Sequence, residues 1–99
     1  MADKHYFYVL LTKDGSYYGG YTTNPVKRLA QHNDGTGAKY TRLASRRPVQ
    51  MVHLEEFETR SQATKAEYAF KQLKRPHKEK YLLEKQKESK LLLKKIFLD

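Results

Sequence analysis

Cysteine is missing from all 99 residues. Its absence excludes disulfides, thiolate chemistry and cysteine-ligated zinc or iron–sulfur centres. Long apolar runs are missing too. No stretch approaches the ~20 residues of a membrane-spanning helix, so no membrane association is expected. The opening Met1-Ala2-Asp3-Lys4-His5 lacks the apolar segment of a secretory signal, and a cytoplasmic location is the expectation. No internal repeat and no glycine-rich nucleotide-binding motif is visible. Acidic residues are scarce: 11 Asp and Glu face 20 Lys and Arg, a net charge of +9. That imbalance favours a polyanionic partner, most simply nucleic acid. A basic surface kept for solubility is the plainer explanation, but acids serve solubility better.

Residues 1–99 suit one domain around a single core. The chain is organised by two aromatic, β-prone runs, Tyr6 to Leu11 and Tyr17 to Thr22, on either side of a polar turn containing Asp14-Gly15. This is a hairpin signal. A three-residue loop, Lys13 to Gly15, would use Gly15 at positive φ. It would pair Thr12 with Ser16, Leu10 with Tyr18 and Tyr8 with Gly20. Tyr8 and Tyr18 would then share one face. Gly19 and Gly20 imply a close approach to the backbone. On these residues alone an edge hairpin stabilised by aromatic cross-strand pairs, about 0.2–1 kcal/mol each, is a sufficient explanation.

Asn24-Pro25 reads as a helix start, with Asn24 as N-cap and Pro25 at the first helical position. This helix should run to about Asn33, with Val26, Leu29, Ala30 and Asn33 facing the sheet. Arg28 and His32, four apart, project together on another face. By itself Arg28 reads as a solvated arginine, and His32 equally as a histidine favoured by the helix C-terminus. Gly35 to Pro48 is a long connection, rich in glycine and cations; loops of this length are usually functional or disordered. Within it the run Gly37 to Arg42 mixes cations (Lys39, Arg42), a hydroxyl (Thr41) and an aromatic ring (Tyr40), which suits phosphate and base contacts. Val49 to Phe57 reads as the third strand, with a structural His53 in its buried centre and Glu55-Glu56 at its exposed end. Thr59 or Ser61 caps a second helix whose inner stripe is Ala63, Ala66, Phe70 and Leu73. Glu67 falls inside that stripe, where a carboxylate needs a cation or donors. A neighbouring Lys or Arg, or a divalent metal ion, would supply the need. Arg75-Pro76 is expected to close this helix. A further helix follows from about Lys78 to Ser89, and the basic segment of about 78–99 ends as a continued amphipathic helix, a dimer contact or a frayed tail.

These residues together resemble the GIY-YIG nuclease domain, and within it the small single-domain bacterial members of the UPF0213 type. Tyr6-Phe7-Tyr8 stands at the Gly-Ile-Tyr position, with Tyr8 as the motif tyrosine, and Tyr18-Gly19-Gly20 matches Tyr-Ile-Gly. Arg28 matches the family's arginine, His32 a frequent histidine and Glu67 the metal-binding glutamate. The resemblance covers about 5–83 and implies an α+β fold. Its core is ββαβα, followed by a further helix, with a three-stranded antiparallel sheet flanked by helices. It also implies phosphodiester hydrolysis with one Mg²⁺ or Mn²⁺ held by Glu67. Such chemistry fits the residues. Arg28 would meet phosphoryl charge with a permanently charged fork. Tyr18 would act as general base and Tyr8 would orient the water, or the two would exchange roles. His32 would take the proton or orient a tyrosine. A phenol ordinarily ionises near pH ~10, so neighbouring cations must help. Lys39, Tyr40, Arg42, Arg46, Arg47, Lys71 and Lys74 would hold nucleic acid, DNA in preference to RNA, through its backbone.

The family's asparagine after the metal-binding helix has no counterpart, since the chain's two asparagines are Asn24 and Asn33. A nucleic-acid-binding module without catalysis is therefore the second reading. A scaffold acting through the apolar C-terminal tail is the third. A monomer is expected under the first two.

Overall fold

The computed structural model of the chain describes residues 4–98. Residues 1–3 and 99, included in the expected single domain, lie outside the described residues. The element order is β1 (His5–Leu11), β2 (Tyr17–Thr22), α1 (Pro25–Asp34), β3 (Gln50–Phe57), α2 (Arg60–Gln72), α3 (Arg75–Glu84) and α4 (Gln86–Leu98). Two short 3₁₀ turns, Tyr40–Arg42 and Ala44–Arg46, lie between α1 and β3. The three strands form an antiparallel sheet in the order β2-β1-β3. This is the α+β architecture expected from the sequence.

β1 is central because both of its faces are apolar. Tyr6, Tyr8 and Leu10 join Val49 and Leu54 on one face, where Leu29 of α1 and Leu92, Leu93 and Ile96 of α4 cover them. Phe7 and Val9 join Phe70 on the other face, covered further by Ala66 of α2, Leu73 at its C-terminal cap, and Tyr81 and Leu82 of α3. Burial of each such large side chain contributes about 1.5–3 kcal/mol. The hairpin has the expected register, Leu10 opposite Tyr18 and Tyr8 opposite Gly20. Its turn is closed by Thr12 N–H donating to Ser16 O at 2.9 Å, with Gly15 at φ +86°. The Asp14 carboxylate accepts from the Thr12 and Ser16 hydroxyls, which hold its pKa down at about 2.

β1 and β3 slip register between Val9 and Leu10, so that Val9 faces His53 while Leu10 faces Met51. Val52 is the extra residue of a bulge, which lets Met51 and Leu54 reach the same core although they are three apart. His53 is buried as a structural residue, its Nε2 2.7 Å from Glu55 Oε2. Glu55 is therefore half-buried rather than exposed. Burial works to raise its pKa, but hydrogen bonds from His53 and Tyr81 outweigh that and lower it.

Three further expectations need correction. On α1 it is Pro25, Arg28, Leu29 and His32 that turn inward, while Val26 and Ala30 are exposed. The helix is rotated because His32 and Arg28 find hydrogen-bond partners inside, which two small apolar side chains cannot offset. Pro76 opens α3 rather than closing α2; α2 already ends at Gln72, and a proline in the first turn of a helix loses no bond. The expected helix of 78–89 is two helices broken at Lys85, and the C-terminal segment is a packed helix. α4 is anchored by buried Ser89, whose Oγ accepts from Leu54 N–H at 3.0 Å. Thr59, not Ser61, caps α2, in a reciprocal pair with Gln62.

Candidate active site

The covered face of the hairpin carries the candidate chemistry. Tyr8 lies on β1 opposite Gly20, and a methyl built on Gly20 would sit 2.3 Å from the Tyr8 hydroxyl. The close approach implied by that glycine is thus made by the tyrosine's own ring. Tyr8 Oη is 2.8 Å from His32 Nε2 and accepts from Arg28 Nε–H at 3.3 Å. On the far side of the imidazole, Nδ1 is 2.8 Å from Thr41 Oγ1, which donates to Ala38 O at 3.2 Å. A hydroxyl that donates to a carbonyl must accept from the ring. The network therefore assigns the proton to Nδ1 and leaves Nε2 to accept from Tyr8 O–H. The order is Arg28 to Tyr8 to His32 to Thr41 to the Ala38 carbonyl.

Both Tyr8, 1% exposed, and His32, 0% exposed, are sealed from solvent. Burial pushes the Tyr8 phenol up to about 12, against the opposing pull of Arg28. Burial, reinforced by the Arg28 charge, pushes His32 down to about 4. The pair is a neutral phenol on a neutral imidazole. Its effect is to hold Arg28, whose Nη1 is also fixed by Gln31 Oε1 at 3.2 Å.

Tyr18 stands beside this pair, its ring 5.5 Å from the His32 ring in an edge contact. One of its faces is stacked on Tyr40 at 5.4 Å and 23°, and Lys71 Nζ lies 5.5 Å from its centroid. Lys71 Nζ also lies 2.7 Å from Glu67 Oε2. Glu67 is accordingly part of the same cluster, and its charge acts on Tyr8. Arg46 caps the stack, its guanidinium carbon 3.8 Å over Tyr40 and its Nη1 donating to Tyr40 O at 3.0 Å. The structure thus brings Tyr8, Tyr18, Arg28, His32 and Glu67 together.

The surrounding cations divide into two groups. Arg46 is also paired with Asp14 at 3.4 Å, and Arg47 donates to Asn33 O and Arg42 O. Both are engaged in holding the 35–48 connection in place. Lys39, Arg42 and Lys74 are exposed on the surface. A polar recess of about 480 Å³, lined by Tyr21, Thr22, Thr23, Asn24, Lys27, Arg28 and Gln31, opens beside Arg28. Gln31 is a contributor that no sequence signal marked, and the Thr41 hydroxyl, expected to contact nucleic acid, is buried against His32 instead. Asn33 bonds both polar groups of Val49, and Asn24 caps α1. Neither asparagine side chain bonds to Tyr8, Tyr18, Arg28, His32 or Glu67. Among the described residues no three His, Asp or Glu side chains gather as a metal cage.

Comparison with known proteins gives the family. The model of the GIY-YIG catalytic domain matches residues 4–88. A UPF0213 protein of Enterococcus faecalis is 73% identical over 78 residues, covering 79% of this chain and 89% of its own length. A UPF0213 protein of Listeria innocua is 57% identical over 89 residues, 90% of this chain and 97% of the relative. Two solution NMR structures are similar, each with a TM-score of 0.56. An Enterococcus faecalis protein shares 72% identity over 80% of this chain and 82% of that one. A UPF0213 protein of Bacillus halodurans shares 40% identity over 84% of this chain and 86% of that one.

Proposed function

Because the chain belongs to the GIY-YIG catalytic domain family, a nuclease family, we propose that it hydrolyses phosphodiester bonds in nucleic acid, as a structure-selective or single-strand endonuclease. The observation that supports this most is the joining of Arg28, Tyr8, His32, Tyr18 and Glu67 in one cluster. Arg28 is the residue that meets phosphoryl charge. Its Nε is held by Tyr8 and its Nη1 by Gln31; no hydrogen bond engages Nη2 among the described residues. A guanidinium fixed before the reaction stabilises developing charge without reorganising. Tyr8 and His32 position it. Neither side chain reaches solvent, and the raised phenol and lowered imidazole leave no proton to exchange near neutral pH.

Tyr18 is the half-exposed tyrosine of the pair; as a phenolate beside Lys71 it takes the proton of the attacking water and becomes the neutral phenol. Glu67 offers a single carboxylate, a donor set that fits a Mg²⁺ or Mn²⁺ ion keeping most of its water shell and bound also by substrate phosphate. When bound, such an ion polarises the phosphoryl oxygens and stabilises the leaving oxygen. Lys39, Arg42 and Lys74 hold the nucleic acid backbone, which makes binding fall steeply with salt. DNA is the preferred substrate, and any role in DNA repair follows from which structures are cut.

The test is cleavage of single-stranded, nicked, flapped and branched DNA and single-stranded RNA, with Mg²⁺, Mn²⁺ or chelator. Metal-dependent cutting that Glu67→Gln and Arg28→Ala each abolish supports the nuclease. Binding that needs no metal, without cutting, supports the non-catalytic module, consistent with the absence of an asparagine from the site.

A further inference from the structure

Lys71 is the cation that faces Glu67. One helical turn along α2, its Nζ lies 2.7 Å from Oε2 and 5.5 Å from the Tyr18 centroid. Resting on the nuclease reading above, we propose that Lys71 is a tethered counter-ion that competes with the divalent ion for Glu67, and that it transfers to a phosphate of the nucleic acid when that ion takes its place.

The geometry separates the stem of this lysine from its head. The stem packs near the bare backbone of Gly19, with Cγ 3.9 Å from where a side chain there would begin. The head is partly in water, its side chain 44% exposed against 20% for Glu67. An ion pair of that exposure is weak and readily exchanged. A lysine ammonium is a compact charge on a flexible stem, able to turn between partners without fixed geometry. Glu67 cannot serve both cations at full strength, because an ammonium held within a few ångströms repels a doubly charged ion. In a water-like dielectric, screened by salt, that repulsion weakens ion binding about tenfold. Once displaced, the ammonium remains beside the Tyr18 ring, where the nuclease reading puts the attacking water and its phosphate. Lys71 would thus contact nucleic acid only after Glu67 has been satisfied by another cation.

The test uses Mn²⁺ titration of the free protein, followed by the electron paramagnetic resonance of unbound Mn²⁺, on wild type, Lys71→Met, Lys71→Arg and Glu67→Gln. The expected result is about tenfold tighter binding for Lys71→Met, wild-type affinity for Lys71→Arg, and loss of the site in Glu67→Gln. A second measurement, single-stranded DNA binding in chelator, reads the transfer. In the wild-type background Lys71→Met should weaken binding only slightly, by baring the Glu67 carboxylate, and leave the salt slope unchanged. In the Glu67→Gln background, where the ammonium is free, it should weaken binding and lower the salt slope by about one. If Lys71→Met binds Mn²⁺ no more tightly than wild type while Glu67→Gln loses it, the competition is refuted and the nuclease reading stands. Equal loss of DNA affinity in both backgrounds refutes the transfer. Absence of Mn²⁺ binding in all four proteins, both alone and with single-stranded DNA present, overturns the metal role of Glu67 and the inference together.

Discussion

Lowering the pH from about 7 to about 5 should weaken this fold by about 2 kcal/mol through His32 alone. His32 is wholly buried, and its two nitrogens are satisfied in one neutral tautomer, accepting from Tyr8 and donating to Thr41. Protonation would place a second positive charge beside Arg28 in a site without water. Its pKa is accordingly pushed from 6.5 down to about 4, by burial first and by Arg28 second. The unfolded chain therefore takes up the proton before the folded chain does. The stabilisation is complete above about pH 6.5 and is lost as the pH falls towards 4. The full depression corresponds to about 3 kcal/mol, of which about 2 has gone by pH 5. The depressed carboxylates do not obscure this window. Asp14, Asp34 and Glu55 begin below ordinary values of 3.8 to 4.5, and their contributions disappear only at lower pH. Urea unfolding followed by circular dichroism at pH 7, 6 and 5 would measure the loss, with His32→Asn as the control. The variant will start less stable, so the comparison is between slopes. A wild-type stability that stays flat between pH 7 and 5 refutes the reasoning. So does a slope that His32→Asn retains.

Other outcomes follow from single contacts. Gly20→Ala would set a methyl 2.3 Å from the Tyr8 hydroxyl; displacement of the ring should cost about 1–3 kcal/mol in urea unfolding and abolish cleavage, even in the folded fraction. Arg28→Lys keeps the charge but loses the donor to Tyr8 and the planar fork, so kcat in the cleavage assay should fall about 10²–10³-fold while the melting temperature changes little. Ser89→Ala leaves the Leu54 amide without its partner in the core, and denaturant unfolding should show a loss of about 1–3 kcal/mol with wild-type cleavage in the folded protein.

The hairpin is legible because three signals agree on it: β propensity, aromatic content and a glycine in a polar turn. Its register followed from the loop length. Glu67 stood out because a carboxylate interrupted an apolar stripe that α2 does bury at Ala63 and Phe70. The face of α1 was misread for the opposite reason. The apolar stripe of α1 points Arg28 and His32 to another face, yet both turn inward to partners that come from β1 and from the 35–48 connection. Nothing local to the helix announces those partners. Pro76 was ambiguous because a proline ends one helix or starts the next with equal ease, and only the packing of Tyr81 and Leu82 decides. The Val52 bulge left no mark in composition. It becomes necessary only when β3 must present Met51 and Leu54 to the same core.

The placement of the two tyrosines on different strands gives the site two mechanical characters. Tyr8 belongs to β1, hydrogen-bonded along both edges and enclosed on both faces. Tyr18 belongs to β2, which has a neighbour on one side only, and Glu67 to a helix surface. Amide protons of β1 should exchange with solvent only through global unfolding, while those on the free edge of β2 escape by local opening. The part of the site that orients Arg28 is therefore as rigid as the fold itself. In the proposed nuclease the part that would meet water and cation sits where the fold can yield, so accommodation of differently shaped substrates would fall to the edge while the arginine stays registered.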